Sequence, residues 1–150
     1  MSNATDNLKA YSEACNTLRH YSNASLTVRL ASVVQGIAIL GAWAYALTQK
    51  ISPLIIVFPI AGLIFTALLY RFHLGYLRAT WFFYDAAAKI EERFFDEDCR
   101  PISAYNNKYE EMYATFWAKF FTLNAPFALI GTLFLLALVT AFWVLILNKG

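Results

Sequence analysis

Few side chains in this sequence have the means for catalysis, and their spacing argues against it. His20 and His73 have no Asp, Glu or Cys grouped around them at metal-ligand spacing, so both read as interface histidines rather than ligands or bases. Cys15 and Cys99 belong to no CxxC or Cys/His pattern and read as free thiols. Asp85, Glu91 and Glu92 read as paired or solvated charges on a helix, with Lys89 four residues after Asp85 in the favourable order. No GxSxG, Walker A or HExxH pattern occurs. The expectation is a protein without catalysis, metal or cofactor.

Binding chemistry is better represented, in two groups. Ala31, Gln35, Ala38, Ala42 and Ala46 fall on one helical face inside an apolar run, and Gln35 is the sole strongly polar side chain deep in any such run. Small residues let helix backbones approach closely and one amide can bond across the contact, which makes Gln35 interhelical glue. In a symmetric oligomer the same amide would form a ring that lines or constricts an aqueous pore. The second group is Arg78, Arg93, Arg100 and Lys108, interleaved with Trp81, Tyr84, Tyr105 and Tyr109. Guanidinium and ammonium groups contact phosphates and aromatic faces stack on bases. The competing reading makes these solvated charges and core rings.

The elements that must carry these residues follow from composition. Hydrophobic residues make up 59% of the 150 and charged residues 15%, against roughly 25% charged in soluble domains; mean hydropathy is +0.48. Three runs account for this. LASVVQGIAILGAWAYAL (30–47) and PLIIVFPIAGLIFTALLY (53–70) are separated only by Gln49, Lys50, Ile51 and Ser52 beyond Thr48, which forces a helical hairpin. APFALIGTLFLLALVTAFWVLIL (125–147) is the third. None contains a charge, so no proton relay or carrier of charged substrates is indicated. Gly62 and Thr66 make a second shallow strip beside Pro59.

The fold class expected is an all-α membrane protein: a two-span hairpin, a C-terminal third span and a cytoplasmic helical bundle. Residues 1–29 form an amphipathic N-terminal helix, with Leu8, Tyr11, Cys15 and Leu18 on one stripe, 30–70 the hairpin, 71–124 a helical region and 125–147 the last span. No cleavable signal peptide is evident in the polar start. DEDCRP interrupts the middle region, and Ser103 is placed to cap the helix that follows, in which Tyr109, Phe116 and Phe120 share a face. Of the Lys and Arg residues only Lys50 and Lys149 fall outside 1–29 and 71–124. The positive-inside rule therefore puts the N-terminus and middle segment in the cytoplasm, and the hairpin tip and C-terminus outside.

LRHYSNASLTVRLASVVQGIAIL, the hairpin and YLRATWFFYDAAAKIEERF together resemble the SLATT class of bacterial antiphage membrane effectors, over about Leu18 to Phe95. The third span is an addition to that class's two-span plan. Among such effectors the chain looks similar to the channel subunits of Hailong-type systems. The resemblance implies a homo-oligomeric pore, a tetramer, opened or held closed by an oligodeoxyadenylate or cyclic nucleotide on its cytoplasmic helices, whose opening depolarises an infected cell. The alternative from a different class is a non-channel membrane partner, such as a toxin-immunity protein or a complex subunit. Bacterial diacylglycerol kinase shares the three-span layout, but its Asn-Thr-Ala-Ile-Glu signature is missing.

Overall fold

A computed structural model describes residues 2–103 and 116–147, with side chains over 5–51, 53–97, 99–103 and 124–147. Every element among the described residues is helical: α1 (Ser2–Thr48), α2 (Ser52–Phe94), a short 3-10 turn (Glu97–Cys99) and α3 (Phe116–Leu147). Three of these helices contain stretches long and apolar enough to cross a membrane. The backbone does not break where hydropathy changes. The polar N-terminal stripe and the first apolar run share one 47-residue helix, and α2 carries the second run and the aromatic, charged segment after it. No proline or glycine pair stands at either junction to stop the helix.

The described residues group into two compact units, one of Met1–Leu26 with Leu74–Thr122 and one of Thr27–His73 with Leu123–Gly150. In the second unit the hairpin is closed by a Schellman turn. The Ile51 N–H donates to the Ala46 carbonyl and the Lys50 N–H to the Leu47 carbonyl, at 3.0 and 3.2 Å. Lys50 takes the left-handed position at φ 55°.

Packing along this unit follows a heptad. Phe127, Ile130, Phe134, Ala137 and Ala141 of α3 are all buried, at alternating spacings of three and four. Two glycines receive the large members. A Cβ on Gly36 would lie 2.8 Å from the Ile130 side chain, and one on Gly62 would overlap the Phe134 ring. At the hairpin end Ala46, Ile55 and Ala141 close the seam, flanked by Leu54 and Phe58.

Pro59 lies inside α2 and is buried. Having no N–H, it leaves the Ile55 carbonyl, four residues back, without its helical donor. In hydrocarbon an orphaned carbonyl costs several kcal/mol. The Trp43 indole of α1 supplies the missing donor, Nε1 to the Ile55 oxygen at 3.0 Å. The threonines of these runs need no such help. Thr66, Thr132 and Thr140 each donate to the carbonyl four residues earlier in their own helix.

Outside these seams the unit is bare. Val34, Ile37, Tyr45, Phe65, Val139 and Trp143 are among its large apolar side chains at half exposure or more. Contiguous apolar surface on this scale is not found on soluble monomers, so a bilayer or other chains must cover it.

Candidate functional site

The face of α1 picked out by its small residues divides in the structure. Ala46 is buried against Ile55 and Ala141, Ala31 and Ala42 are half-buried, and Gln35 and Ala38 are exposed. Packing within the chain uses the neighbouring face, through Ser32, Gly36 and Ala46. Hydropathy could not separate these two faces, because both are built of small residues. Gln35 thus stands on an uncovered side of α1, and no described residue hydrogen-bonds its amide.

The basic and aromatic candidates are not gathered into a single pocket among the described residues. Arg78 and Arg93 are both exposed on α2, fifteen residues or about 22 Å of helix axis apart. Trp81 is partly exposed and meets Tyr84 edge-on at 5.8 Å. The Arg93 guanidinium sits 5.4 Å from the centre of the Phe94 ring. Arg100 is partly committed, its Nε donating to the Phe95 carbonyl at 2.9 Å, where it caps the end of α2. Tyr105, Lys108 and Tyr109 lie outside the described residues. Asp85 and Lys89 form the expected pair, 2.7 Å apart at the surface, and the Asp85 carboxylate raises the Lys89 pKa.

Glu91 departs from the sequence reading. It is neither solvated nor paired with a base; its side chain is fully buried. Tyr11 of α1 donates its hydroxyl to Oε1 at 2.6 Å. The backbone N–H groups of Ile102 and Ser103 donate to the same carboxylate at 2.9–3.1 Å. These two amides follow Pro101, in the first turn of the helical residues 101–103, where N–H groups have no partner within a helix and favour an anion. Tyr84 strengthens the same junction by donating to the Ile102 carbonyl at 2.9 Å. One carboxylate therefore ties together α1, α2 and the segment after the 3-10 turn. The sequence offered Ser103 as the cap of the helix after DEDCRP; residues 101–103 are instead already helical, so Ser103 lies inside the turn and gives its N–H to Glu91.

Burial and the Glu91 hydrogen bond hold the Tyr11 pKa well above the usual tyrosine value, with Cys15 contributing. The Tyr11 ring also packs on Phe95 at 5.1 Å. Further along α1, Tyr21 stacks on Phe83 at 5.7 Å. His20 is exposed beside Tyr21, whereas His73 is fully buried between Tyr70 and Phe127. Both cysteines are free thiols. Among the described residues no three His, Cys, Asp or Glu side chains are grouped to hold a metal ion. Compared with protein-family models, curated proteins and solved structures, the chain matches none.

Proposed function

We propose that this chain is the subunit of a homo-oligomeric, pore-forming ion channel in a bacterial inner membrane, with its N-terminus and middle segment cytoplasmic and its C-terminus outside. The observation that carries the reading is Gln35, exposed on α1 within an apolar run and without a hydrogen bond from any described residue. An amide left so in hydrocarbon costs roughly 2–7 kcal/mol. Copies that place α1 around a common axis remove that cost, by bonding Gln35 to its equivalents or by giving it water. Ala38 and Gly41 beside it, both exposed, allow the close approach that such an assembly needs.

The resemblance to SLATT effectors extends the proposal to antiphage defence, with a tetrameric pore gated by a nucleotide or oligodeoxyadenylate on the cytoplasmic helices. Arg78, Trp81 and Arg93, exposed along α2, are the described residues offered to such a ligand. Their separation requires a long ligand or contributions from several subunits.

Single-channel recording in planar bilayers tests the reading. Discrete wild-type currents, altered in conductance by Gln35→Leu, are the expected result. Silence from folded protein, with and without oligodeoxyadenylate, would reject it. The scatter of the ligand candidates favours a second reading, a non-channel partner such as an immunity protein or complex subunit. That reading requires a stable hetero-complex and no current.

A further inference from the structure

The first turns of α1 are helical against their composition. Ser2, Asn3, Thr5, Asp6, Asn7 and Ser12 crowd into them. These residue types rank low in helix interiors because their side chains compete for backbone groups. As the end of a continuous 47-residue helix the stretch needs no nucleus of its own, but so few strong helix formers leave it prone to fray unless docking adds support.

That docking is thin at its outer end. Leu8 is 58% exposed, and Asn7 and Leu8 line an open cavity of about 250 Å³ together with Phe94 and Phe95 at the end of α2. Tyr11 adds a ring contact on Phe95 and a hydroxyl hydrogen bond on Glu91. Further along α1, Tyr21 meets Phe83 and Tyr76.

We propose that the segment of α1 before Cys15 is a releasable strap, helical and docked while Tyr11 holds Glu91 and unwound when that tie is broken. The Glu91 carboxylate is also the anchor of Ile102 and Ser103, so the strap and the segment after Pro101 share one fastening. Loosening either removes support from the other, and by linkage the effect runs in both directions. The two release patterns differ. Removing the Tyr11 hydroxyl leaves Glu91 with its backbone donors and frees the strap alone. Removing the Glu91 charge weakens both attachments. The strap stands independently of the pore reading, because it concerns contacts within one polar unit.

Hydrogen–deuterium exchange on the full chain in lipid nanodiscs tests it. With Tyr11→Phe, amides of residues 5–14 should exchange roughly ten- to hundredfold faster, the effect of losing one hydrogen bond to a charged group. Residues 30–46 should keep wild-type rates. Glu91→Gln should accelerate residues 5–14 and 102–103 together. Wild-type protection of 5–14 in Tyr11→Phe would overturn the proposal, as would equal acceleration over 5–14 and 30–46, which means α1 opens as one body. Leu8→Ala is the control. If it opens the segment as far as Tyr11→Phe does, apolar docking rather than the Glu91 tie holds it, and the strap is again refuted.

Discussion

Lys50 occupies a backbone conformation that an L-residue with a Cβ adopts at a cost of about 1 kcal/mol relative to glycine. Lys50→Gly should therefore stabilise the folded chain by about 0.5–1 kcal/mol, read as a higher midpoint in thermal or denaturant unfolding. Gly62 is the opposite case. Any side chain there must displace the Phe134 ring, so Gly62→Ala should destabilise by about 1–3 kcal/mol. Gly131, which has open space around it, should accept alanine without that penalty. Tyr11 brings a pH dependence. Its folded pKa is raised above the unfolded value near 10, so above about pH 10 the folded state binds more protons than the unfolded one. The stability it contributes is complete below that pH and falls as pH rises toward the folded pKa. Tyr11→Phe should flatten the alkaline limb of a stability-against-pH curve. An unchanged slope would mean that the hydroxyl is not the group responsible.

At the scale of elements, α1 and α3 show what periodicity conveys. The apolar runs were legible as helices because each is uninterrupted and near the length of a bilayer core. The hairpin was legible because so short a connection leaves no other path. Which face of α1 turns inward was not legible: the alanine stripe and the Ser32–Gly36 stripe both offer small residues, and a partner in sequence-distant α3 decides between them. The seam on α3 is equally a tertiary fact, since its 125–147 run is apolar almost all round. Its centre is Phe134, fully buried, and Phe134→Ala should cost about 3–5 kcal/mol, whereas Leu136→Ala on the exposed side should cost far less. Thermal unfolding of the two variants in one detergent provides the comparison.

At the scale of the molecule, the charge distribution predicts sidedness. In a background lacking native cysteines, Gln49→Cys should react with a membrane-impermeant maleimide from outside intact spheroplasts. Restored as the sole thiol, Cys99, exposed in the structure, should react only after lysis. The reverse pattern would invert the topology and put the proposed ligand helices outside the cell. The Glu91 tie was hidden from the sequence for a reason at this scale. EERFFDEDCRP reads as a solvated charge run, and only the return of the chain after Pro101, with its two amides, and the docking of α1, with Tyr11, make one of its carboxylates a junction. Of the ligand candidates, Arg78, Trp81 and Arg93 are exposed on α2, and their spacing in the sequence already strings them along its axis once the segment is one helix.

The indole of Trp43 and the ring of Pro59 form a single heritable decision. The proline creates an orphan carbonyl and the tryptophan answers it; the proline without the indole is a liability in lipid. Trp43→Phe should therefore be harmful in this chain and largely harmless in a Pro59→Ala background, where a backbone N–H returns to the Ile55 oxygen. In a lineage the two positions should be inherited and lost as a pair, with descendants that drop the proline free to drift at residue 43.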